Sequence, residues 1–233
     1  MPDKEDLSEV ISCDLAVKLF SGFHTKEIKI PKEEVSYLKK ISLEEGFDPY
    51  CTIDIWYATK LAGYGDVLKP DEVFLSNAFN EISSPIKNKS PEDSCLDYVY
   101  LRTIKECTSQ FTFTDVLQRD IKNNVSKDLE EHLYYLTHVI FFNLKFGLKK
   151  YDELSKSALE ELIGLLTDPA TGNKILDAKY CDILGEILIA FIICGSRDIP
   201  IFYEIEKIIE NVKNVSDYHT KTVIKVYNKL NAK

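Results

Sequence analysis

The segment Cys181–Cys194, CDILGEILIAFIIC, constrains this chain more than any other. From Ile183 to Cys194 every position except Gly185 and Glu186 is apolar, including those that an amphipathic helix would turn to solvent. A helix apolar all round must be enclosed by other elements. The unbroken apolar run Ile187–Cys194 is only eight residues, against roughly 20 needed to span a bilayer, so it reads as the core of a water-facing fold.

The enclosing elements also read as helices. Apolar residues recur with helical spacing over 5–20, 33–41, 52–61, 71–82, 94–107, 114–123, 127–146, 155–166, 176–194, 200–212 and 216–230. Prolines at 31, 91 and 200 stand where a helix takes its first residue, and Gly147 and Gly195 stand where one stops. No stretch alternates with a period of two between hairpin turns, so strands are not expected. Segments 52–61, 94–107, 131–146, 177–194 and 217–230 are richer in aromatic or all-round apolar residues, whereas 33–41, 71–82, 114–123, 155–166 and 200–212 show charged faces. Inner helices alternating with outer ones would give this pattern. The expected fold is all-α, about ten helices in antiparallel pairs, forming an α/α-toroid-like arrangement or a compact helical bundle. One domain covering residues 1–233 is expected, with a soft boundary in the polar loop 83–91.

Charge and cysteine usage remove several function classes. The chain carries 38 acidic and 29 basic residues, a formal net charge of -9, and its only arginines are Arg102, Arg119 and Arg197. Nucleic acids and anionic membranes call for a basic face. The six cysteines form no C-x-x-C pair, which argues against a zinc ribbon or thioredoxin-type site. The acidic, polar start MPDKEDLSEV does not read as a signal peptide. Reduced thiols and a cytoplasmic location are the expectation.

Candidate site residues emerge where polar groups interrupt the inner helices. Asp182 and Glu186 are four positions apart, hence within about 40° on one helix face. A carboxylate in so apolar a helix must be protonated, paired or bound to a cation; Arg197, Arg102 and backbone groups are structural partners to weigh. Tyr134, Thr137, His138 and Phe141 share a face suited to lining a pocket. His132 lies about 120° away from His138, forms no H-x-x-x-H pair with it, and reads as solvated beside Glu130 and Glu131. His219 falls in the first turn of a helix capped by Ser216 or Asp217, where the dipole would keep its imidazole neutral.

If these helices share an axis, His138, Asp182, Glu186 and His219 form an inner cluster. It would serve acid/base catalysis, with a carboxylate raised in pKa and a histidine near neutrality, or bind a divalent metal such as zinc, manganese or non-haem iron. Asp54, Tyr57, Asp97, Tyr98 and Arg102 are further binding candidates for the pocket wall. Cysteine–histidine catalysis has the residue types but no local signature, and glycine-rich phosphate loops, G-x-S-x-G and H-E-x-x-H are absent.

In length and helical character the chain resembles haem-oxygenase-like di-iron proteins. That resemblance would imply about four carboxylates with Glu-x-x-His pairings on facing helices, and only Asp182 and Glu186 are so placed. The alternating helices are also similar in arrangement to α/α-toroid enzymes, which hold their sites at one rim of the inner ring. Two functional readings follow. One is an enzyme acting on a small organic molecule or short peptide through the inner cluster. The other is a non-catalytic helical scaffold that binds a peptide or protein, its inner charges being structural.

Overall fold

A computed structural model describes residues 4–44, 47–77, 129–213 and 215–232. These residues are helical with no strand among them. Helix α1 (Lys4–Thr25) is followed by α2 (Lys32–Ile41) and α3 (Pro49–Thr59). α3 runs into a wide turn, Lys60–Tyr64, released by Gly63 and Gly65 at φ 89° and 62°. Residues 72–77 are helical, with Asp71 Oδ1 accepting from the Phe74 backbone N–H at 2.7 Å. Then come α4 (Leu129–Asn143), α5 (Glu153–Thr167), α6 (Pro169–Ile175), α7 (Cys181–Cys194), α8 (Pro200–Asn211) and α9 (Tyr218–Asn231). The helices expected over 94–107 and 114–123, and the loop 83–91, lie outside the described residues.

The interior helix is α7. Every residue from Ile183 to Ile193 is buried, and α4, α5, α8 and α9 all pack against it. Seven of those residues are isoleucine or leucine, each stabilising the fold by about 1.5–3 kcal/mol when fully buried. Aliphatic burial therefore sets the position of α7, and the carboxylates it carries follow. Its end is closed by Gly195 at φ 74°, with the Gly195 and Ser196 N–H groups donating to Ile192 and Phe191 carbonyls at 3.1 and 2.9 Å. A central rod with helices around it is the compact-bundle alternative.

The surrounding helices bury one stripe each. α8 buries Ile201, Phe202, Ile205 and Ile209, and α2 buries Val35, Leu38 and Ile41, the spacing of a single apolar face. α9 differs from its expected inner character: it buries Thr220, Val223, Val226, Tyr227 and Leu230, while Lys221, Lys225 and Lys229 are not buried.

α6 was not expected, because Asp168-Pro169 reads as a stop. The pair is both a stop and a start. Asp168 ends α5 in extended backbone, its side chain accepts from the Thr171 N–H at 3.2 Å, and Pro169 opens the next helix. Among the described residues no helix is long and apolar enough to cross a membrane.

Candidate functional site

α7 presents Asp182 and Glu186 one turn apart, α4 brings Tyr134, Thr137 and His138, and α9 brings His219 in its first turn. Asp217 caps that turn, accepting from the Thr220 N–H at 2.7 Å. α9 can lie this close to α7 because position 185 is glycine: a Cβ there would stand 2.6 Å from Val223 Cγ1. The glycine beside Glu186 is thus what lets His219 reach the carboxylates.

Glu186 is 4 % exposed, and each of its carboxylate oxygens has a neighbour. Thr137 Oγ1 donates to its Oε2 at 2.7 Å, and His138 Nδ1 approaches the same oxygen at 3.5 Å. His219 Nε2 stands 3.7 Å from Oε1 and 3.4 Å from Asp182 Oδ1. Tyr134 donates its hydroxyl to Asp182 Oδ2. His138 Nδ1 lies 2.8 Å from the Tyr134 carbonyl, an acceptor only, so that nitrogen carries the proton. Arg197 is elsewhere, donating to the Leu230 carbonyl at 3.0 Å and to Asn231 at 3.3 Å.

These contacts set the protonation states. Burial pushes the Glu186 carboxyl up, but His138, His219 and the Thr137 hydroxyl outweigh it and hold it below its ordinary value. At Asp182 burial wins over the Tyr134 and His219 contacts, and the carboxyl is raised. His219 is raised by the Cys13 sulfur and Glu186, with Asp182 adding to them against burial. Its imidazole is therefore cationic at neutral pH, contrary to the neutral form expected from the helix dipole: two carboxylates and a sulfur outweigh partial backbone charges. The raised buried carboxylate expected at the cluster is not Glu186.

The cluster borders a cavity of about 210 Å³. His138, Glu186 and His219 reach its wall, Phe20, Phe141, Phe142 and Phe146 make much of the remainder, and Asp54 and Tyr57 line it as well. Tyr134, Thr137 and Asp182 are not wall residues; they act from behind, because Tyr134 sits one turn earlier on α4 and Thr137, wholly buried, turns to Glu186. Asp97, Tyr98 and Arg102 lie outside the described residues. His132, expected to be solvated, is 2 % exposed and bonds Glu161 Oε1 at 2.8 Å, since α5 covers that side of α4.

The cavity wall also holds two residues the sequence reading missed, Ser12 and Cys13. Ser12 Oγ donates to Asp54 Oδ2 at 3.3 Å, and burial, opposed by that bond, pushes the Asp54 carboxyl up to about 7. Cys13 Sγ lies 3.9 Å from His219 Nδ1. The available signal was the run of small residues Ser12, Cys13 and Ala16 on the Leu15–Leu19 face of α1, which leaves room for a cavity. No nearby histidine marked Cys13, because its partner is 206 positions away.

The expected metal set does not form. Among the described residues no three or more His, Cys, Asp or Glu side chains are arranged to hold a metal ion. The nitrogen and oxygen atoms of the cluster contact one another instead of facing a common centre. Comparison of the chain with protein-family models, curated proteins and solved structures finds no match.

Proposed function

We propose that the chain is an enzyme acting on a small organic molecule, with proton transfer by the Glu186–His219–His138 cluster at the wall of the cavity. One observation carries the reading: a buried, ionised Glu186 lies between two imidazoles, and all three open onto a space lined mostly by aromatic and aliphatic side chains. A cluster serving stability alone would be closed off by packing, and a charged group facing an apolar cavity is costly unless something polar meets it there. The volume lies below the roughly 300–1,000 Å³ of drug-sized pockets, so the substrate is small, with an aromatic or alkyl body against the phenylalanines and one polar head at the cluster.

In this reading Glu186 is the base and the His219 imidazolium the acid, while His138, its proton fixed by the Tyr134 carbonyl, orients the carboxylate. Such transfer contributes about 10²–10⁴-fold to rate. Asp54, raised to about 7 and lining the same cavity, can hold or release a second proton on the substrate.

The test begins with denaturing the natively purified protein and identifying by mass spectrometry any small molecule released. Calorimetry then measures its rebinding to the native chain and to Glu186→Gln. Loss of at least about 100-fold in affinity or turnover in Glu186→Gln, with helical circular dichroism retained, is expected. A chain that retains no small molecule and instead binds peptides through its outer helices supports the scaffold reading.

A further inference from the structure

We infer that Cys13 is a catalytic nucleophile, activated by His219 and the Asp182–Glu186 carboxylates, and that the site transfers small apolar acyl groups from esters, thioesters or amides. This deepens the reading of the cavity as a small-molecule site and rests on it.

The argument begins with the two nitrogens of His219. Nδ1 faces Cys13 Sγ at 3.9 Å, while Nε2 faces Asp182 Oδ1 at 3.4 Å and Glu186 Oε1 at 3.7 Å. The imidazole thus stands between a thiol and carboxylates, one on each nitrogen. That is the order a nucleophile, a base and an orienting acid need. The sulfur is also in the right place, since Cys13 and His219 both line the cavity.

The other described cysteines make the contrast. Cys51 packs against Ser12 and the Ser8 carbonyl, and Cys194 is half-buried near Asp152; loss of hydration pushes both thiols up to about 12. Burial, with Asp182 and Asp217 adding to it, opposes ionisation of Cys181. None of these three has the imidazole contact that Cys13 has. A thiol kept only as a small core residue has no use for a cationic partner, and cationic partners are what make thiols reactive.

The step balances on the residues present. With the thiol proton on His219 Nδ1, Sγ attacks the acyl carbon. The S–C bond forms, the bond from that carbon to the leaving oxygen, sulfur or nitrogen breaks, and His219 returns its proton to the departing atom. Water then attacks the thioester. Its hydroxyl joins the acyl carbon, its remaining proton goes to His219, and the sulfur leaves as thiolate. The aromatic walls hold the acyl body, and the His219–Glu186 side of the wall faces the departing group.

Two probes test this on the full chain. Iodoacetamide at pH 7, with peptide mapping by mass spectrometry, should modify Cys13 about tenfold faster than Cys181 or Cys194, although Cys13 is the more buried. That lead should vanish in His219→Gln, and in Asp182→Asn should the first variant fold poorly by circular dichroism. p-Nitrophenyl acetate should release nitrophenol with one acetyl group on Cys13, and Cys13→Ser and Cys13→Ala should both lose the release. Alkylation of Cys13 no faster than of Cys181, a rate indifferent to His219, or ester cleavage that survives in both Cys13 variants would overturn the proposal. If Glu186→Gln abolishes ligand binding or turnover while the Cys13 variants keep it, the acid/base reading stands and the nucleophile falls.

Discussion

Helix α4 carries two histidines six positions apart, and each meets a glutamate, yet the two pairs are built differently. His132 is almost wholly buried and makes one short contact, 2.8 Å to Glu161, whose side chain is 27 % exposed. On the other side of α4, His138 shares Glu186 with Thr137 and His219, at distances from 2.7 to 3.7 Å, and the glutamate rather than the histidine is the buried member. The first pair satisfies a core histidine by reaching outward to a carboxylate that water also reaches. The second holds a charge inward, with several loose contacts and one side open to a cavity. Short and single contacts mark a closed structural bond. Multiple long contacts around a buried charge leave capacity for a further partner.

The comparison is broken most severely by removing the inner carboxylate. Glu186→Ala leaves His219 facing Asp182 alone, takes the carboxylate from His138 and deletes one acceptor of Thr137, and breaking a buried pair in this way costs about 3–5 kcal/mol. Glu161→Ala should cost less, about 1–3 kcal/mol for leaving the buried His132 imidazole without its acceptor, because Glu161 itself is partly solvated and no buried charge is stranded. Urea unfolding of both variants gives the ratio, and equal losses would mean that the two pairs are the same kind of bond. The gap depends on pH. Glu186 is held below its ordinary 4.5, so its contribution is complete above that value and is lost as pH falls through the folded-state value. His219 is raised above 6.5, so its contribution is complete below 6.5 and fades as pH climbs through its folded-state value. The cost of Glu186→Ala should therefore be greatest between about 4.5 and 6.5.

Gly185→Ala comes next. The new methyl meets Val223 Cγ1 at 2.6 Å, and a β-branched side chain has few rotamers in which to move away. Overpacking of this kind costs about 1–3 kcal/mol, relieved by pushing α9 off α7. The displacement takes His219 from the carboxylates but leaves His132–Glu161 untouched. Imidazole NMR signals should show a changed His219 environment and an unchanged His132; movement of both would mean that the cluster does not depend on the close helix contact.

Legibility in the sequence follows from how local each cause is. The all-round apolar pattern of 181–194 demanded a buried helix and placed Glu186 inside it, and Pro200 and the Asp217 cap located α8 and α9 to within a residue or two. These are short-range signals. His132 was misjudged because its neighbours Glu130 and Glu131 look solvated, while the residue that pairs with it, Glu161, is on α5. The cationic state of His219 escaped for the same reason: its own helix end argued for neutrality, and the groups that decide it come from α1 and α7. Asp168-Pro169 hid α6 because the same two residues terminate one helix and begin the next. The small residues Ser12, Cys13 and Ala16 could mark a cavity wall, but the partner of Cys13 could not be read, since it stands on α9.

The other carboxyl of the cavity wall, Asp54, offers a smaller effect. Asp54 is raised from 3.8 to about 7 by burial, so between those values the native state binds a proton that the unfolded chain has released. Stability therefore falls as pH rises through that window and levels off above it. Asp54→Asn removes the loss. Part of the gain is offset by the weaker bond to Ser12, leaving ~1–2 kcal/mol at pH 8, or about 2–8 °C in Tm, and no gain at pH 4. A variant equally stabilised at both pH values would show that the cavity side of Asp54 is not its cause.

The smallest effect decides what kind of bond the outer pair is. Replacing His132 and Glu161 together by leucine removes both members at once, so no buried donor or charge is stranded. A pair kept only to satisfy one core imidazole is worth little against packed apolar groups of similar size. Tyr135, whose ring lies 6.3 Å from His132 at 22°, can pack on a leucine. The double variant should lie within about 1 kcal/mol of the native chain, whereas His132→Leu alone leaves Glu161 to rehydrate and should cost slightly more. The matching experiment inside the cavity, His138 and Glu186 both to leucine, also removes an acceptor from Thr137 and a counter-charge from His219. Its cost should remain well above that of the outer pair. If both double variants proved neutral, the two pairs would contribute alike to stability, and the contrast between them would fall.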